Sequence, residues 1–142
     1  MINSARFTGM RKGEILNLKW NGIDFKNRYI TIQQSKTNEK RIVPMNQGVY
    51  EVLKKLPKDG EYVFSIKDCK RSFATALRKA KIEDFRFHDL RHTFCSHLAM
   101  AGCNLKTIQE LVGHKDIKMT MRYSHLSKAY LEEAVEKLYK NY

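Results

Sequence analysis

The stretch RYITIQQSKTNEKRIVPM, residues 28–45, constrains the fold class more than any other part of the chain. Two β-rich runs, 29–34 and 41–45, flank a polar turn, and that arrangement predicts an antiparallel hairpin. Around it the apolar spacing turns helical. In RKGEILNLKW, Ile15 with Leu18 and Leu16 with Trp20 fall at i,i+3 and i,i+4. QGVYEVLKKL reads as a short helix, YVFS as a short strand, and KDCKRSFATALRKA as an amphipathic helix rich in Lys and Arg. From Phe87 onward every segment reads as helical. FHDLRHTFCSHLAMAG closes on Gly102 as a C-cap, and Asn104 then N-caps NLKTIQELVGH, which stops at Gly113. KDIKMTMRYSH makes a further short helix, and the tail places Tyr130, Leu131, Ala134, Val135, Leu138 and Tyr142 on one face. The expected architecture is mainly α with a small antiparallel β-sheet near its start (α+β), as one domain over residues 1–142.

Charge says what such a domain meets. Lys and Arg number 27 against 15 Asp and Glu, a formal charge of 27 − 15 = +12. That excess points to a polyanionic partner: DNA, RNA or an anionic membrane. A hydrophobic fraction of 42% suits a folded chain and excludes a disordered one. The cysteines, Cys69, Cys95 and Cys103, are odd in number and lack CxxC spacing, so neither a disulfide framework nor a zinc knuckle is expected. Reduced thiols are the economical reading. No run approaches the roughly eighteen apolar residues of a membrane span, and the N-terminus lacks a signal-peptide core, so a cytoplasmic protein with no membrane partner is expected.

FHDLRH, residues 87–92, packs two histidines and an arginine into about one helical turn. His88 and His92 stand four apart, as the zinc ligands of HExxH do, but Asp89 replaces the glutamate, and Arg91 brings a cation beside any metal. Standing alone, the stretch reads best as a polar helix face making local hydrogen bonds. His88 and Arg91, at i,i+3, can also reach one small target. A planar guanidinium gripping two phosphate oxygens with an imidazole beside it suits a phosphoryl-transfer transition state. Such a clamp asks for a second cation, a proton donor and a nucleophile elsewhere.

FTGMRKGEILNLKW, QQSKT, FHDLRHTF, LVGHKD and MRYSH together resemble, in order, the successive motifs of the tyrosine recombinases, also called phage integrases. The resemblance runs from about Phe7 to His125, with the stretch from about Pro44 to Asp84 uninformative. It implies the DNA breaking-rejoining catalytic domain fold and an enzyme that cuts and rejoins double-stranded DNA through a tyrosine, without metal or ATP. Carried over by position, the first arginine falls on Arg11 and the hairpin lysine on Lys36. The HxxR pair falls on His88 and Arg91, the third-motif His/Trp position on His114, and the nucleophile on Tyr123, nine residues further on. Glu14 matches an acidic position that supports the first arginine.

Each assignment has an ordinary rival. Arg11 can be a solvated helix-start residue, Lys36 a turn lysine beside Lys40, His114 a helix-end cap, and Tyr123 a packing tyrosine. The resemblance implies no cofactor, a free monomer, and a homotetramer on DNA in which the C-terminal segment packs against a neighbouring protomer. Only six residues precede the first motif, so the family's N-terminal core-binding domain is expected to be absent from this chain. Two other classes stay open: a type IB topoisomerase-like strand relaxer, which shares the same chemistry, and a catalytically silent DNA-binding fragment, the non-enzyme alternative.

Overall fold

The computed structural model of the chain describes residues 1–33 and 40–127. In chain order these form α1 (Ile2–Thr8), α2 (Lys12–Leu16), a 3-10 turn (Trp20–Gly22), β1 (Ile23–Asp24), β2 (Tyr29–Gln33), β3 (Lys40–Pro44) and α3 (Gln47–Lys54). There follow α4 (Lys70–Lys79), α5 (Asp89–Met100), α6 (Leu105–Val112), α7 (Lys118–Met121) and a second 3-10 turn (Ser124–Ser127). The chain divides into two compact units, Met1–Phe94 and Cys95–Tyr142, with the boundary falling inside α5. The fold is helix-rich with one small antiparallel sheet, as the sequence predicts.

The hairpin forms where expected. β2 and β3 pair antiparallel, with Tyr29 opposite Pro44, Ile30 opposite Val43 and Ile32 opposite Arg41. Strand alternation sends Ile30, Ile32, Arg41 and Val43 inward and leaves Tyr29, Thr31 and Ile42 outside. A short third strand, β1, adds to β2 with Ile23 opposite Ile30, a pairing the sequence reading missed. Ile15, Leu18, Ile30, Ile32, Val43, Val49, Leu53 and Val63 fill the core of the first unit, joined by Met10, Phe73 and Leu90. The tip of the hairpin, residues 34–39 with Lys36, lies outside the described residues, as does the predicted tail helix over 130–142.

Three expectations change. YVFS is not a strand: Tyr62 makes an isolated bridge to Lys19, fastened by Val63 N–H to the Leu18 carbonyl at 2.8 Å. The pairing stops there because the partner chain turns away into the 3-10 turn at Trp20. The helix expected along RKGEILNLKW is only five residues long, α2, and ends at Asn17. The Asn17 side-chain amide donates back to the Gly13 carbonyl at 2.8 Å, the local competition that makes asparagine a poor helix continuer. Finally, α5 begins at Asp89 and not at Phe87, so His88 sits in the turn leading into the helix, its carbonyl accepting from Arg91 N–H at 3.0 Å. Asp89 favours the start, accepting from the Arg86 backbone N–H at 2.7 Å.

The second unit keeps its predicted punctuation. Gly102 takes φ 80°, a left-handed conformation that costs glycine little, and closes α5. The Asn104 side chain accepts from Thr107 N–H at 2.8 Å to open α6, and Gly113, at φ 68°, ends it. Cys95, Ala99, Ile108, Val112, Thr120 and Tyr123 are buried in this unit. Among the described residues no disulfide joins Cys69, Cys95 or Cys103. No described helix is long and apolar enough to cross a membrane.

Candidate active site

The first unit presents Arg11 through a sharp turn between α1 and α2. The Thr8 hydroxyl donates to the Ser4 carbonyl, and Gly9 closes α1 in the left-handed region at φ 61°. That turn delivers Arg11 as the residue capping the N-terminus of α2. The guanidinium stays accessible, with 39% of the side chain exposed, while Nη1 donates to Glu14 Oε1 at 3.0 Å. The Arg11 backbone N–H donates to the other carboxylate oxygen, Oε2, at 2.7 Å. Glu14 therefore holds Arg11 by its main chain and its side chain together.

A second arginine grips the same carboxylate. Arg41, on β3, donates from Nη1 to Oε1 at 2.7 Å and from Nη2 to Oε2 at 3.0 Å, the two-pronged geometry a guanidinium offers a carboxylate. Burial pushes the Glu14 carboxyl up, but the hydrogen bonds and positive charge of Arg41, with those of Arg11, outweigh it and hold the group below its ordinary range. Glu14 is thus an anion in the folded chain at neutral pH.

Arg91 is buried, only 3% exposed, and its Nη1 donates to the Gly9 carbonyl at 2.6 Å. The same turn that delivers Arg11 therefore fixes one end of Arg91. His88 and His92 stack edge to face with ring centroids 4.8 Å apart. Among the described residues, no three His, Cys, Asp or Glu side chains converge as a metal would need.

The second unit holds His114 and Tyr123 around one residue. His114 Nδ1 lies 2.8 Å from the hydroxyl of the fully buried Thr120, and its carbonyl accepts from Gln109 Nε2 at 3.1 Å. The Tyr123 N–H donates to the Thr120 carbonyl at 3.0 Å. Tyr123 is 5% exposed, and the Arg122 guanidinium lies 5.9 Å from its ring centroid. The Thr120 hydroxyl thus holds the imidazole of His114 at Nδ1.

Of the residues picked from sequence, Arg11 and Glu14 are in direct contact and Arg91 is tied to the turn between them and α1. His88 precedes α5 in the same unit, and His114 and Tyr123 share Thr120 in the second. Two contributors escaped the sequence reading. Arg41 had a usable signal, because strand parity puts it on the inward side with Val43, and an inward arginine demands a carboxylate. Thr120 had none, since nothing in KMTMRY distinguishes a buried hydroxyl from an exposed one.

The model of the "Phage integrase family" matches residues 1–130. The chain is similar to the integrase of Salmonella phage P22, 36% identical over 155 residues that take in 94% of this chain and 40% of that protein. It is similar as well to the integrase of Escherichia phage 186, 42% identical over 111 residues, 75% of this chain and 32% of that one. The chain therefore spans two fifths or less of the length of these relatives. Among solved structures it resembles the catalytic domain of bacteriophage HP1 integrase, with a TM-score of 0.79 at 34% identity over 95% of this chain and 78% of that one. A Tn1549 transposon integrase in complex with circular intermediate DNA superposes with a TM-score of 0.81 at 26% identity, over 96% of this chain and 58% of that one.

Proposed function

The chain belongs to the phage integrase family, and we propose that it is the catalytic domain of a site-specific recombinase that cuts and rejoins double-stranded DNA through a 3′-phosphotyrosine. The single observation that carries the reading is that one turn prepares two guanidinium groups, Arg11 held by Glu14 and Arg91 held by the Gly9 carbonyl.

Metal-free phosphodiester cleavage needs the charge on the non-bridging oxygens neutralised, a nucleophile in line, and a protonated leaving group. Arg11 and Arg91 grip the non-bridging oxygens. His114 adds a hydrogen bond from its ring, which Thr120 holds. Tyr123 attacks phosphorus through its phenolic oxygen; the Oη–P bond forms as the bond from phosphorus to the 5′-oxygen breaks. A phenol with an ordinary pKa near ~10 needs help losing its proton, and His88 is the base. Lys36 delivers a proton to the departing 5′-oxygen. The phosphotyrosyl bond keeps the energy of the broken linkage, so a 5′-hydroxyl reseals the strand with no cofactor. The basic surface contacts several backbone phosphates, which makes DNA binding fall with salt. In this reading the chain acts as one catalytic domain in the cytoplasm on DNA of a mobile element, monomeric when free and tetrameric on its site.

The test is covalent capture. Incubated with a nicked duplex bearing its site, the protein should form an EDTA-resistant adduct that peptide mapping places on Tyr123. An adduct on another tyrosine, or loss with chelator, overturns the assignment. Noncovalent binding alone would point to a DNA-binding fragment, and relaxation of supercoils without site preference to a topoisomerase-like enzyme. A substrate with sulfur at the 5′-bridging position separates the proton donor from the clamp. A thiol of pKa near ~8.5 leaves without protonation, so Lys36→Ala should cleave that substrate normally while Arg11→Ala and Arg91→Ala stay slow.

A further inference from the structure

We propose that Arg41 is a positioning residue of this site: its two-pronged hold fixes the Glu14 carboxylate in the orientation that receives both the backbone N–H and the guanidinium of Arg11. The inference rests on the reading that Arg11 grips the scissile phosphate.

The observations begin with strand parity. β3 inverts the usual pattern at one neighbouring pair, turning Arg41 inward, with 8% of its side chain exposed, and leaving Ile42 58% exposed. An apolar side chain would satisfy an inward strand position at lower cost, because a buried ion pair loses to desolvation about as much as it gains from attraction. Stability alone therefore gives a weak reason for an arginine there. Geometry gives a stronger one.

Each Glu14 oxygen takes one bond from each arginine. Oε1 accepts from Arg41 Nη1 at 2.7 Å and Arg11 Nη1 at 3.0 Å, and Oε2 accepts from Arg41 Nη2 at 3.0 Å and Arg11 N–H at 2.7 Å. The terminal torsion of a glutamate is broad and roughly two-fold, so a carboxylate held at one end only swings easily. Arg41 supplies the second fixed plane. It comes from a ladder residue paired with Ile32, so the plane is anchored to the sheet. Arg11, more than a third exposed at the end of a long side chain, has many rotamers to lose before it meets a phosphate. The Arg41–Glu14 plane removes part of that freedom in advance.

Arg41→Lys tests this, since it keeps the charge and loses the fork; Arg41→Met provides a second variant. The first readout does not depend on cleavage: hydrogen exchange of the Arg11 amide, which donates to Glu14. In Arg41→Lys it should quicken by about tenfold or more, the ratio corresponding to loss of roughly one hydrogen bond, with the amides of the β2–β3 ladder at wild-type rates. The second readout is single-turnover cleavage at saturating DNA. It should slow by about tenfold to a hundredfold, the scale of an ångström-level misplacement, while Kd for the duplex stays within about threefold. Adding Glu14→Gln to either variant should slow cleavage no further than the slower single change. An unchanged Arg11 amide overturns the proposal. So does exchange that rises equally across the ladder, which would make Arg41 a folding residue. If the wild-type chain cleaves nothing yet the amide result holds, the recombinase reading fails and Arg41's control of Arg11 stands.

Discussion

In the first unit Arg11 and Arg41 converge on one carboxylate, whereas in the second His114 and Tyr123 attach to one threonine, the histidine to its hydroxyl and the tyrosine to its carbonyl. The first arrangement fixes charge with charge. Its groups are ionised, its hydrogen bonds are charge-assisted, and Glu14 responds to pH because its pKa is displaced. The second arrangement is neutral at its centre. Thr120 carries no charge at any pH, is fully buried, and orients its neighbours by packing and two ordinary hydrogen bonds. Under the proposed function, the difference fits a division of labour in which one unit meets a fixed anion and the other supplies a nucleophile. Substitutions in the first should respond to charge geometry, and those in the second to the loss of single atoms.

The largest effect should come from one atom in the neutral region. Tyr123→Phe removes the phenolic oxygen and should abolish the covalent adduct while leaving duplex affinity within about threefold. Its stability should drop by no more than about 1.5 kcal/mol, the ordinary worth of a hydrogen bond. Gel capture with urea melts checks both. An adduct that persists would move the nucleophile elsewhere and dissolve the proposed division.

Next in size is Arg91→Lys. The charge survives but the planar fork does not, so single-turnover cleavage should fall by about a hundredfold to a thousandfold, the range for one lost transition-state donor. Duplex binding should change little. Equal losses in binding and cleavage would make Arg91 a general backbone contact, and near-wild-type cleavage would remove it from the clamp.

Thr120→Val sharpens the comparison from the other side. It keeps shape and burial but deletes the hydroxyl 2.8 Å from His114 Nδ1. The ring should lose its preferred orientation, lowering cleavage by about tenfold and stability by about 1 kcal/mol, the ordinary worth of one hydrogen bond. A pH profile that keeps its wild-type shape would agree with a neutral, orienting role. Unchanged cleavage would leave Thr120 as packing only.

How much of this could be read from the chain follows from the kind of signal each part leaves. The hairpin, the Asn104 and Gly113 boundaries and the Gly102 cap were legible because strand alternation and capping depend on residues a few positions apart. Arg11, Glu14 and the HxxR pair stand out in the sequence as spaced motifs, and the Arg11–Glu14 contact expected from them forms. β1 was not, since two residues leave no period, and neither was the single bridge at Tyr62, which depends on Lys19 more than forty residues earlier. α2 was overread, because i,i+3 spacing cannot show that the Asn17 side chain ends the helix. Arg41 and Thr120 were missed for a different reason. Strand parity marks Arg41 as inward but does not name Glu14 as its partner, and nothing local marks the Thr120 hydroxyl as buried against His114.

The smallest expected effect is a slope with pH, and it belongs to the charged region alone. Glu14 has its folded pKa held below the unfolded value. The folded state then binds fewer protons than the unfolded one, so stability rises with pH across that interval. The contribution is fully present above the unfolded carboxyl pKa, near ~4.3. It is lost as pH falls through the lower folded value. Asp24 and Asp68 are also depressed, by partners on the exposed surface, and they remain in both proteins when wild type is compared with Glu14→Gln. Their contributions cancel in the difference. Urea melts at a series of pH values should therefore show wild type more stable than Glu14→Gln near neutrality, with the gap constant down to the unfolded pKa and closing below it. Thr120→Val should show a gap with no such slope. A Glu14 gap that stays flat into acid would mean that the two arginines do not hold the carboxylate ionised, and the contrast between the charged and neutral regions would fail at its electrostatic end.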